Sequence, residues 1–281
     1  MKSSRISGAG LGFRRELLPA LQTRPVPAID FFELAPENWI GAGGRSAKTL
    51  RAFTERYIFV CHGLSLNLGG PAPLDTALLR RTREFMREHG IAQYTEHLSW
   101  CADDGRLYDL LPIPFTQDAV HWVAERIRQT QDALGMRIGI ENASYYIAPP
   151  GAEMHEAEFI RAVIEEADCL LHLDVNNIHV NSINHDFDAH AYLAALPLER
   201  TCYIHVAGHH VEADGLVVDT HGAAVIDPVW SLLDAAYARC GAVATCLERD
   251  FNFPPLAELG AEVAHVRALQ QHHRATPRVA A

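Results

Sequence analysis

The stretch 57–63, YIFVCHG, decides the fold: a short apolar run that reads as a β-strand and ends in a potential metal ligand, His62. The same design recurs down the chain. IAQYTEH ends in His97, RIGIE in Glu141, CLLHLD in Asp174, TCYIH in His205 and AVATCLE in Glu248. A hydrophobic core needs no such group at a strand end. A metal site at the mouth of a barrel needs one on almost every strand, because only converging strand ends bring residues so distant in sequence to one ion.

Working outward from these runs, strands are expected near 6–11, 28–34, 57–62, 91–97, 136–141, 169–174, 201–206 and 243–248. Amphipathic helices are expected at 13–22, 46–55, 75–89, 116–134, 155–167, 188–195, 227–240 and 256–273. Thr116 reads as an N-cap behind Pro114, and Gly90 and Gly135 stand where their helices should stop. Eight strands alternating with eight helices predict a (β/α)8 barrel. A doubly wound sheet gives similar alternation but gathers its ligands at one switch point. Here the chemistry is spread over most strand ends. We expect one barrel domain over 1–274, an unstructured tail over 275–281, and a long polar active-site loop at 208–226.

Composition sets bounds on function. The chain has 281 residues, 48% of them hydrophobic, and a formal net charge of −11. Mean hydropathy is −0.04. The acidity disfavours nucleic acid, whose phosphates are held by Lys and Arg. No apolar run approaches the roughly 20 residues that span a bilayer. The N-terminus lacks the apolar segment of a signal peptide, so a cytoplasmic protein is expected. Cys61, Cys101, Cys169, Cys202, Cys240 and Cys246 form no CxxC pair and read as small apolar residues, which leaves nitrogen and oxygen as metal donors.

Taken alone, His62 or His97 is weak evidence. Glu141 is stronger, because strand alternation puts Gly139 and Glu141 on one face, and a buried charge must be paired or metal-bound. The segment after Asp174 offers Asn177, His179 and His185, and IHVAGHH adds His209 and His210 beyond His205. Asp219 and His221 are spaced to reach one ion from an extended loop. His89, His121, His265, His272 and His273 fall on predicted helices, away from the mouth. The ligand candidates are thus His62, His97, Glu141, Asp174, His205, Asp219, His221 and Glu248. Eight exceed the needs of one ion and suit two or three, with Glu141 bridging. Mixed imidazole and carboxylate ligation fits iron, manganese or zinc.

FFELAPENW, HGLSLNLGG, EHLSW, IENAS, LDVNNIHVNSINHD, YIHVAGH, DTHG and LERD together resemble the DUF692 family, also called UPF0276 and described as multinuclear non-haem iron-dependent oxidases of the methanobactin-biosynthesis type. The likeness runs from about residue 8 to 270, with the motifs in the family's order. It implies a TIM barrel of the xylose isomerase type, related to endonuclease IV, with two or three irons held by the eight candidates above. Asn177 stands where some relatives supply a histidine. Glu33 and Asn38 look like substrate contacts or supports for the ligands, although a capped βα turn explains them equally well. The resemblance also implies oxidation of cysteines in a ribosomally made precursor peptide with O2, and a small partner protein, encoded nearby, that recognises the peptide leader. The residues alone leave two rivals: a di- or tri-metal hydrolase or sugar isomerase on the same barrel, and a metal-storage protein. Rigid ligands around an open mouth argue against storage.

Overall fold

The computed structural model describes residues 6–275 except 24, 25, 27, 104 and 150; the expected tail falls largely outside these. Eight strands form a closed parallel barrel in chain order: β1 (Ala9–Gly12), β2 (Phe31–Leu34), β3 (Ile58–Gly63), β4 (Tyr94–His97), β5 (Gly139–Glu141), β6 (Leu170–Asp174), β7 (Thr201–Val206) and β8 (Thr245–Leu247). β1 closes the ring by pairing with β8, Gly10 opposite Cys246. Each of the eight expected strands is present, and the fold is the (β/α)8 barrel.

Helices cover the outside: α1 (Leu18–Thr23), α2 (Gly44–Thr54), α3 (Thr76–His89), α4 (Gln117–Leu134), α5 (Glu156–Ala167), α6 (Val175–Asn184), α7 (Ala189–Ala195), α8 (Asp227–Cys240) and α9 (Leu256–Ala275). None is long and apolar enough to cross a membrane. Thr116 caps α4 by accepting from the Ala119 N–H. Gly90 and Gly135 end α3 and α4 at φ 67° and 75°, where a Cβ would be strained.

Four segments depart from expectation. The helix expected at 13–22 is a 3-10 turn, Arg15–Leu17, followed by α1. The segment after Asp174 is a helix, α6, because the Asp174 carboxylate accepts from the Asn177 N–H and caps it. The 208–226 loop carries a short hairpin, His210–Val211 with Val217–Val218, and a second hairpin pairs Trp100–Ala102 with Arg106–Leu111. Cys61, Cys101, Cys169 and Cys246 are buried, as expected of small apolar residues.

Side chains alternate along each strand, so positions i and i+2 share a face. That rule separates the barrel interior into two levels. Phe31, Val60, Tyr203, Ala244 and Cys246 pack as a small apolar plug. Two residues further along their strands come Glu33, His62, His205 and Glu248, at the C-terminal end. The larger apolar cluster lies between the outer barrel face and the helices.

Candidate metal centre

The strand ends deliver their polar side chains into one cavity of about 320 Å3, lined by Glu33, His62, His97, Glu141, Asn177, Asp219, His221 and Glu248 among others. Asp174 and His205, both fully buried, lie behind that lining, with His205 against Glu141 and Glu248. Glu141 is the hub. Its Oε2 lies 3.1 Å from His62 Nε2 and 3.5 Å from His97 Nε2, and its Oε1 lies 3.4 Å from His205 Nδ1. His205 Nδ1 is 2.9 Å from Glu248 Oε2 and 3.9 Å from Asp174 Oδ2. On the open side, His221 Nε2 is 2.8 Å from Asp219 Oδ1, and His221 Nδ1 is 3.7 Å from Glu248 Oε2. All eight candidates therefore meet at one mouth. Three groups, His62–Glu141–His205, Glu141–Asp174–His205–Glu248 and Glu33–His205–Cys246, have donor atoms within 4.8 Å of one another; Glu141 belongs to the first two, and the third, with a thiol, lies behind His205.

The hydrogen bonds behind the rings are as informative as the donors. His62 Nδ1 pairs with Thr95 Oγ1 at 2.8 Å, His97 Nδ1 with the Gly63 carbonyl at 3.1 Å, His205 Nε2 with Glu33 Oε2 at 2.7 Å and His221 Nδ1 with Asp250 Oδ2 at 3.1 Å. Each ring thus has an acceptor on one nitrogen and turns the other into the cavity, the arrangement by which metal-ligating histidines are oriented. The atoms Glu141 Oε2, Asp174 Oδ2, His205 Nδ1 and His221 Nε2 are buried and lack a well-aligned hydrogen bond, although another donor-set atom stands 3.1, 3.9, 2.9 and 2.8 Å from each in turn. Unpaired buried polar atoms are rare and costly. Four of them in one cluster fit ions of positive charge, and the mixed nitrogen and oxygen donor set suits iron, manganese or zinc.

The electrostatics agree. Burial raises the Glu141 carboxyl, but His172, His62 and His97 outweigh it and hold it well below the usual range. Burial also opposes charge on His97, yet Glu141 and Glu96 push it up to about 9. Asp174 goes the other way: burial, Glu141 and Asp219 lift its carboxyl well above the usual range. So many acids in one buried cluster are compensated by protons or metal ions.

The remaining sequence candidates divide. Glu33, 1% exposed, serves His205 rather than a helix cap. Asn38 is exposed, in the 3-10 turn Pro36–Asn38, and lines the mouth. Asn177 donates its side-chain N–H to the Asn142 carbonyl at 3.0 Å and leaves Oδ1 buried and unpartnered. His179 and His209 pair with each other at 5.0 Å between ring centroids, and His185 stacks on Tyr145; none of the three lines the cavity. His89, His121 and His273 bond locally to Thr54, Glu166 and Asp234. The sequence reading missed His172, fully buried with both ring nitrogens unpartnered, its ring 4.0 Å from that of His205. Alternation was the available signal, since His172 precedes Asp174 by two. It also missed Asn142, which staples β5 to β6 by bonding the Asp174 backbone at 2.8 and 2.9 Å.

Residues 8–271 match the family model for the RiPP precursor modification enzyme MbnB/TglH/ChrH, where RiPP denotes a ribosomally made, post-translationally modified peptide. A UPF0276 protein of Nitrosospira multiformis is 61% identical over 269 residues, covering 96% of this chain and 95% of its own. One from Pseudomonas aeruginosa is 56% identical over 271 residues, covering 96% and 95%. Among solved structures, a xylose isomerase-like TIM barrel protein from Mycobacterium smegmatis in complex with magnesium gives a TM-score of 0.61 at 11% identity, covering 92% of this chain and 89% of that one. Endonuclease IV from Thermus thermophilus gives 0.57 at 18%, covering 95% and 98%. At such identities the likeness is one of fold: a xylose isomerase-like TIM barrel.

Proposed function

The chain belongs to the MbnB/TglH/ChrH family of RiPP precursor modification enzymes, and from that premise we propose that it is a multinuclear iron-dependent oxidase acting with O2 on cysteine residues of a ribosomally made precursor peptide. The observation that carries the metal part is the cluster of buried donor atoms on Glu141, Asp174, His205 and His221 that lack a well-aligned hydrogen bond. His62, His97, Glu141, Asp174, His205, Asp219, His221 and Glu248 would hold two or three irons. Bound there, iron supplies redox chemistry toward O2 and a Lewis acid that favours the thiolate form of a cysteine.

The chain's own residues have separable tasks. Glu141 offers two carboxylate oxygens to opposite sides of the cavity and so neutralises charge on both. Glu33 and Thr95 fix ring orientation behind His205 and His62. Asn177 presents an amide oxygen and Asn38 a rim amide for contact with a peptide backbone. The cavity opens into a groove of about 790 Å3 bordered by Leu64, Leu107, Tyr146, Asp109 and Phe251. Its described lining has no Lys or Arg; the one such side chain on the adjoining cavity, Arg14, is engaged by Asp250. An extended peptide segment with apolar side chains matches such a groove. We further propose that a small partner protein delivers the peptide leader, which raises the effective concentration of a weakly bound core, and that the protein works as one domain, 1–274, in the cytoplasm.

The test combines iron-loaded protein, O2 and a reductant with a cysteine-containing peptide encoded nearby, with and without the adjacent small protein. A mass change at cysteine that requires both iron and O2 is expected. Turnover of a phosphodiester or a sugar by the metal-loaded protein, with the peptide unchanged, would transfer the assignment to a hydrolase or isomerase.

A further inference from the structure

His62, His97 and His205 ride on barrel strands, but His221 does not. It follows the 210–218 hairpin with φ 52°, a left-handed conformation that residues with a Cβ adopt at a cost. A ligand on such a loop needs bracing from elsewhere. Asp250, just beyond β8, supplies two contacts. Its backbone N–H donates to the His221 carbonyl at 3.0 Å, and its Oδ2 accepts from His221 Nδ1 at 3.1 Å. Asp250 Oδ1 in turn accepts from Arg14 Nε at 2.5 Å, while a terminal nitrogen of Arg14 lies 3.5 Å from Glu248 Oε1. Arg14 enters from the chain after β1, so the line Arg14–Asp250–His221 bridges the seam where β1 and β8 close the barrel.

We propose that Asp250, held by Arg14, is the positioning residue that keeps His221 Nε2 available to the metal centre. The inference rests on reading the mouth as a metal centre. Accepting the proton of Nδ1 fixes the tautomer that leaves a lone pair on Nε2. Two alternatives compete for the ring. Nδ1 has Glu248 Oε2 at 3.7 Å, and a proton on Nε2 would find Asp219 Oδ1 at 2.8 Å. The first turns the ring away from its brace and the second consumes the donor lone pair. An Arg–Asp pair with a 41% exposed carboxylate side chain adds little to stability by itself, so its larger effect should fall on His221. The backbone bond from Asp250 to His221 survives any side-chain change at 250, so substitution there isolates the carboxylate.

The experiment titrates metal-free protein with Co2+, reading its visible absorption and, by equilibrium dialysis, the affinity of each equivalent. Asp250→Ala should weaken one equivalent by roughly 10- to 100-fold, as loss of a carboxylate behind a ligating histidine does, and change the absorption of that equivalent only. Asp250→Asn retains an oxygen acceptor and should recover most of the loss. Arg14→Met leaves Asp250 in place but unheld and should weaken the same equivalent by less. Wild-type affinity and absorption in Asp250→Ala would overturn the proposal. So would an even loss over all equivalents with a lowered melting temperature, the mark of a merely structural role. If Asp250→Ala fails to fold, an unaltered affinity profile in Arg14→Met overturns it instead. Wild-type protein that binds no Co2+ would remove the metal-centre reading itself, and this one with it.

Discussion

Glu33 and His205 lie 172 positions apart in sequence, yet Glu33 Oε2 is 2.7 Å from His205 Nε2, both side chains almost fully buried. β2 and β7 are not neighbours in the barrel, so this contact crosses its interior. Glu33 Oε2 accepts a hydrogen bond from Nε2–H and leaves Nδ1 facing Glu141 and Glu248. Glu33→Ala should therefore weaken metal binding by about 10- to 100-fold, measured by dialysis against Fe2+ or Co2+. Unchanged affinity would mean that the ring is held by packing alone.

Glu141→Gln keeps the volume but removes the charge shared by both donor groups. Metal content should drop by more than one ion per chain from the two or three expected, and peptide turnover should vanish. Elemental analysis of anaerobically reconstituted protein decides the matter, and a full complement of metal in the variant would remove the bridging role.

The histidines should sort by position. Ala in place of His62, His97, His205 or His221 should cost metal, whereas Gln in place of His89, His121, His265, His272 or His273 should not. The first set faces the cavity; the second lies on α3, α4 and α9. Comparable metal loss in both sets would place the centre elsewhere.

Glu156 makes a prediction independent of metal. Its side chain is buried at the start of α5, Tyr145 donates to its Oε2 at 3.3 Å, and burial raises its carboxyl from 4.5 to about 8 against the opposing bonds from Tyr192 and Tyr145. The folded protein therefore keeps a proton that the unfolded chain has released. This group's contribution to stability is present below pH 4.5 and falls as pH rises toward about 8, by at most about 1.4 kcal/mol for each pH step of one. Glu156→Gln should raise the melting temperature at pH 8 and change it little at pH 4.5. An equal effect at both pH values would show that Glu156 is not protonated in the folded state.

Most of the fold was legible because alternation is local. The period of two in YIFVCH or CLLHLD and the helical period between such runs do not depend on what the chain meets later. The strand-end candidates were legible for the same reason, each falling at the end of its strand, whereas Asp219 and His221 sit on the loop after the 210–218 hairpin and were read from their spacing alone. α6 was missed because Asp174 does two jobs: a strand-end carboxylate is also an N-cap, and VNNIHVNSIN reads as a polar loop until the cap is known. His172 was passed over because one histidine inside an apolar run looks like a core residue.

The sequence by itself determined the eight strands, the barrel and the side chains at its rim, since face and order follow from periodicity along the chain. Only the tertiary structure decided which residue stands behind each ring: Thr95 behind His62, the Gly63 carbonyl behind His97, Glu33 behind His205 and Asp250 behind His221. Those partners depend on the register between strands and on the closure of β1 against β8. A shift of one residue reverses which side chains face inward, and nothing local to either strand states the register; packing of the whole barrel sets it.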